Sequence, residues 1–126
     1  MMRFIAALAT LMITAVAHAE LPSANDAAIR AALSSGKPTV ADFGARTCIP
    51  CKKMAPILEE LNHELKGKSN VLFTDVWATP DLAHDYRIQM IPTQIFFDAK
   101  GKEVKRHIGF IDKADILKEL KAADLK

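Results

Sequence analysis

At 126 residues, with 17 Lys and Arg against 15 Asp and Glu, the chain has room for one small domain and carries no basic excess that would favour nucleic acid. Half of its residues are hydrophobic, enough for a packed core, and no internal repeat, low-complexity tract or long linker divides it.

Residues 1–19 read as a secretory signal. Arg3 supplies the charge, Phe4 to Val16 an apolar stretch, and Ala17-His18-Ala19 a small-x-small cleavage site. The apolar stretch is shorter than the roughly 20 residues of a membrane-spanning helix, which disfavours the alternative of an uncleaved anchor. Cleavage after Ala19 leaves residues 20–126 as one nearly neutral domain, exported to the periplasm.

Asn25 or Asp26 caps a helix running through Leu33, and Gly36-Lys37-Pro38 stops it. Thr39 to Gly44 is a buried strand with one charge, Asp42. Cys48 to Leu65 is an amphipathic helix with its apolar stripe at Met54, Ile57, Leu58, Leu61 and Leu65, and a kink is expected at Pro56. A strand over Asn70 to Val76, a short helix over Pro80 to Tyr86 and a strand over Thr93 to Asp98 follow. Ala99-Lys100-Gly101-Lys102 turns the chain into a strand at Glu103 to Ile108, and Asp112 caps a last helix, Lys113 to Ala122. Strands separated by helices are expected to run parallel and the final hairpin pair antiparallel. The result is an α/β fold with a mixed sheet of about four strands and helices on both faces. Function in such sheets gathers at the carboxyl ends of strands, and Cys48 follows Gly44 by a few residues.

Cys48-Ile49-Pro50-Cys51 holds the only two cysteines. A disulfide across two intervening residues restrains the unfolded chain by only about 2 kcal/mol, a poor reason to keep it as a staple. At a helix N-terminus the free N–H groups and the dipole favour a thiolate, and Arg46, Lys52 and Lys53 push the same way. The chemistry is therefore thiol–disulfide exchange. The bland alternatives are a structural bridge or half of a zinc site. The latter needs two more ligands from His63, His84 or His107, none at ligand-like spacing. The histidines read as surface residues, Lys52 as solvated, and Trp77 as a packing residue near the site edge. Asp42, a carboxyl in the apolar run Ala41-Asp42-Phe43, is expected to have a raised pKa suited to proton transfer near neutrality, or else to be a hydrogen-bonded strand-end residue.

The chain resembles thioredoxin from about Thr39 to Leu120. The likeness rests on Val40-Ala41-Asp42-Phe43, on Cys48-Ile49-Pro50-Cys51-Lys52 with Ala55-Pro56, and on Ile91-Pro92-Thr93. It implies a thioredoxin fold in which Cys48 is the exposed attacking thiol and Cys51 the buried resolving one. Asp42 then manages the Cys51 proton, and Pro92 is the cis-proline that faces the disulfide. Ile91, with Ile49 and Pro50, meets the substrate. No metal and no organic cofactor is implied. The implied partners are disulfide-containing exported proteins and a membrane thiol reductase of the DsbD or CcdA type, with the protein itself a monomer. Three departures alter the contact surface: Thr47 stands where a tryptophan is usual, Gly44 where an aromatic is usual, and Ile49-Pro50 replaces Gly-Pro. A lysine that partners the buried acid in many thioredoxins aligns with Val71, and an N-terminal strand is weak at Leu21-Pro22-Ser23. Two rivals remain: a disulfide oxidase with the same site, and a module holding a soft metal ion through the two thiols.

Overall fold

The computed structural model describes residues 20–126; the leader expected over 1–19 lies outside the described residues. The order is α1 (Asp26–Leu33), β1 (Thr39–Gly44), α2 (Ile49–Glu64), β2 (Asn70–Asp75), α3 (Pro80–Asp85), β3 (Thr93–Phe97), β4 (Glu103–Ile108) and α4 (Lys113–Ala122). Asn25 caps α1, its Oδ1 accepting from the Ala28 N–H at 2.9 Å, and Asp112 caps α4 by accepting from the Asp115 N–H at 2.8 Å. Pro56 lies inside α2 without ending it.

The four strands form one mixed sheet in the order β2-β1-β3-β4. β1 and β2 run parallel, with Val40 opposite Val71 and Asp42 opposite Phe73. β3 corrects the sequence expectation: it is antiparallel to β1, with Thr93 opposite Phe43, although a helix separates it from β2. The reason is length. The 16 residues of α2 rise about 24 Å and carry the chain back past the whole of β1, whereas the 6 of α3 rise about 9 Å, under half of a six-residue strand. The chain therefore re-enters the sheet from the end where it left. β4 returns antiparallel to β3 through a turn in which Gly101 takes φ +80°, and a Cβ there would sit 2.6 Å from the Leu33 carbonyl oxygen.

β1 and β3 are buried along their whole lengths. On one face Val40, Val71, Phe73 and Phe96 pack with Met54, Leu58 and Leu61 of α2 and Ile116 and Leu120 of α4. On the other, Ala41, Phe43, Ile95 and Phe97 pack with Ile29 of α1 and Leu82 of α3. Ahead of α1, the N-terminal segment makes a single bridge to β2 at Ser23 and Phe73 rather than a strand.

Candidate active site

The carboxyl end of β1 and the amino end of α2 are joined by Ala45-Arg46-Thr47, so the cysteines sit at the sheet edge. Cys48 is the N-cap of α2, its carbonyl accepting from the Lys52 N–H at 2.9 Å. Pro50 occupies the first turn, where its missing N–H leaves no helix bond unmade. Cys48 and Cys51 are joined by a disulfide with their Cα atoms 5.1 Å apart. The helical period gives the two cysteines different surroundings. Cys51 belongs to the stripe Cys51, Met54, Leu58, Leu61 that α2 turns to the sheet and is 4% exposed, whereas Cys48 is half-buried and Ile49 is 72% exposed.

Beneath Cys51 lies Asp42. Strand alternation points it to the same face as Val40, toward α2, and it is fully buried. Its carboxyl is pushed up to about 7, because burial penalises the charge more than a hydrogen bond from Gln94 relieves it. That bond, from Gln94 Nε2 to Asp42 Oδ1, is 2.8 Å long, while Oδ2 has no hydrogen-bond partner. Gly44 keeps the space between acid and sulfur open: a Cβ there would lie 3.2 Å from Cys51 Sγ and 3.5 Å from Asp42 Oδ2.

Pro92 stands one residue before the start of β3, and since Thr93 faces Phe43 it meets the same sheet edge as the cysteines. It is buried, follows a cis peptide bond from Ile91, and its carbonyl accepts from the Gly109 N–H at 2.8 Å. Ile91 is half-buried, and Pro50 and Met90 are exposed. Every residue singled out in the sequence for the site thus lies at this edge or directly behind it.

The structure corrects three sequence readings. Trp77, just beyond β2, is 63% exposed rather than packed. His107 is not a free surface histidine but half-buried, its Nδ1 2.9 Å from Gln94 Oε1, while His63 and His84 are exposed. Arg46 does not stand free beside the thiols. It bonds Glu20 at 3.2 Å and the Leu21 carbonyl, and its guanidinium lies 4.2 Å over the Phe73 ring. Gln94 and Gly44 were missed as site residues. A glutamine directly before the apolar run Ile95-Phe96-Phe97 of a strand was the available signal, because a buried amide needs partners. Val71 is buried and apolar, and the side-chain hydrogen-bond partner of Asp42 is the amide of Gln94. Among the described residues no group of three or more His, Cys, Asp and Glu side chains is placed to hold a metal ion.

The thioredoxin family model matches residues 20–122. A thioredoxin of Mycobacterium tuberculosis is 43% identical over 88 residues, 70% of this chain and 75% of that protein. The bifunctional thioredoxin reductase/thioredoxin of Mycobacterium leprae is 42% identical over 88 residues, which are 70% of this chain but only 19% of that longer protein. Among solved structures, chloroplastic thioredoxin z superposes with a TM-score of 0.72 at 28% identity, covering 84% of this chain and 96% of its own. A mutant thioredoxin from Halobacterium salinarum gives 0.72 at 25% identity, covering 82% and 88%. With the fold, the cysteine pair at the head of α2 and these matches in agreement, the chain belongs to the thioredoxin family and is a thiol–disulfide oxidoreductase.

Proposed function

We propose that the protein reduces disulfides in exported proteins, with Cys48 as the attacking thiol, Cys51 as the resolving thiol and Asp42 as the base that takes the Cys51 proton. The observation that carries this reading is the asymmetry of the pair: one sulfur reaches the surface at a helix N-terminus, the other is buried beside a carboxylate oxygen that has no partner. The Cys48 thiolate attacks one sulfur of a substrate disulfide, forming a mixed disulfide and releasing the other sulfur as a thiolate. Cys51 then gives its proton to Asp42 and attacks Cys48. The bond from Cys48 to the substrate breaks, and the second substrate sulfur leaves as a thiolate that takes a proton from water. The substrate has gained two electrons and the protein holds its own disulfide. In this reading Pro92 and Ile91, at the sheet edge where β3 begins, and the exposed Ile49 and Pro50 meet the substrate segment.

Export rests on the leader read in residues 1–19. In an oxidising compartment the pair needs an electron source, and a membrane thiol reductase of the DsbD or CcdA type supplies it. The test has two arms. Expression of the full chain followed by cell fractionation and mass measurement is expected to give a periplasmic product beginning at Glu20; a full-length cytoplasmic product overturns export. Equilibration of that product with glutathione buffers is expected to give a potential of roughly −220 to −270 mV, and a value near −120 mV makes the chain a disulfide donor instead. A Cys51→Ala variant is expected to accumulate proteins disulfide-linked through Cys48.

A further inference from the structure

Asp42, Gln94 and His107 form one row across β1, β3 and β4: Gln94 is the register partner of Asp42 on one side and of His107 on the other. All three side chains are joined, from Asp42 Oδ1 to Gln94 Nε2 at 2.8 Å and from Gln94 Oε1 to His107 Nδ1 at 2.9 Å. Asp42 and Gln94 are fully buried, and His107 ends the row at the half-buried edge strand.

The chemistry of the amide fixes the direction of this chain of bonds. A carboxylate accepts only, so Gln94 must turn its NH2 toward Asp42 and its oxygen toward His107. That oxygen in turn needs a donor, which His107 provides only with a proton on Nδ1. Both the imidazolium and the Nδ1–H neutral tautomer meet that requirement. With Oδ1 held by the amide, the oxygen left for a proton is Oδ2, the one that shares the Gly44 gap with Cys51 Sγ.

We infer that Gln94 and His107 are positioning residues for the resolving step: His107 locks the amide of Gln94, Gln94 holds Oδ1 of Asp42, and the proton from Cys51 is thereby confined to Oδ2. This rests on the proposed role of Asp42 as the base. The groups that face Asp42 are Cys51 from α2, Gln94 from β3 and Phe73 from β2, and no charged side chain contributes to its raised pKa. On β4 the neighbours of His107 are Arg106, committed to Glu103 and to the Tyr86 and Arg87 carbonyls, and the exposed Lys105 reached two residues along.

The experiment isolates the resolving step. Cys48 is loaded with 5-thio-2-nitrobenzoate as a mixed disulfide, and release of the coloured thiolate by Cys51 is followed between about pH 5 and pH 9 in each variant. Gln94→Leu removes the donor to the ionised carboxyl and is expected to move the midpoint of the pH profile upward by about one unit. His107→Ala, at the sheet edge and outside the core, is expected to move it in the same direction by less. His107→Asn, which keeps an N–H near the position of Nδ1, is expected to restore the original midpoint. The Gln94→Leu/His107→Ala double variant is expected to match Gln94→Leu alone, because His107 acts only through Gln94. An unmoved midpoint in Gln94→Leu, no rescue by His107→Asn, or additive shifts in the double variant overturns the inference. Asp42→Asn, measured alongside, separates the two proposals: if it leaves the profile intact the base assignment itself fails, and if it flattens the profile while Gln94→Leu does not move it, only the positioning role fails.

Discussion

Asp42 has no exposure and no cation beside it, and its carboxyl is pushed up to about 7 from 3.8 by burial. The neutral acid stabilises the fold relative to the unfolded chain fully below about pH 3.8. That contribution falls as pH rises from there to about 7, while the unfolded chain ionises and the folded one does not, and it is gone above. At about 1.4 kcal/mol per unit the whole loss is on the order of 4 kcal/mol. Urea unfolding of the oxidised protein at several pH values is expected to show this decline, and Asp42→Asn is expected to flatten it and to be the more stable form at pH 8 by a few kcal/mol. A second residue-scale expectation concerns Gly44, whose place beside Cys51 is a matter of room. Gly44→Ala gains roughly 0.4–1 kcal/mol by restricting the unfolded chain, but its Cβ presses Cys51 Sγ at 3.2 Å in a packed site, where crowding costs about 1–3 kcal/mol. Crowding is the larger effect, so a net destabilisation of about 1 kcal/mol is expected in the same unfolding assay. Asp42 was legible in the sequence because a charge in an apolar strand needs an explanation. Its partners were not, because Gln94 and His107 lie 52 and 65 positions further along and meet it only through strand register.

Among the elements, those whose ends carry their own chemistry were read closely from the sequence. β1, β4 and α4 begin and end where their patterns place them, and the Asn25 and Asp112 caps are both made. Asp112→Ala is expected to cost about 1 kcal/mol, since the Asp115 N–H loses its acceptor at the exposed head of α4, and thermal unfolding measures it. The direction of β3 was not legible, because helix and strand patterns are local while direction depends on whether the intervening helix is long enough to carry the chain back. The same geometry shapes the site. Because β3 enters from the carboxyl end of β1, its first residues, with Pro92 ahead of them, stand at the edge where α2 begins. A parallel β3 would have put Pro92 at the opposite end of the sheet, away from both cysteines.

For the molecule as a whole, each lateral margin of the sheet is closed by a different device. β4 is an outer strand that carries Glu103, Lys105 and Arg106 and a register irregularity at Phe96 and Phe97, both of which discourage a second chain from pairing there. β2, the other outer strand, is apolar at Val71 and Phe73, and it is the segment ahead of α1 that occupies its free side. The Ala24 N–H bonds the Phe73 carbonyl at 2.7 Å, Ser23 Oγ accepts from the Asp75 N–H at 2.9 Å, and Arg46 ties Glu20 and Leu21 to the loop before Cys48. Removing residues 20–24 is expected to lower the unfolding midpoint and to promote concentration-dependent association, detectable by light scattering, with the β4 side unaffected. The short strap that the sequence showed only as a poor strand thus covers the open side of β2. Because its anchor, Arg46, stands two places before Cys48, loosening of the strap would be felt first at the redox centre.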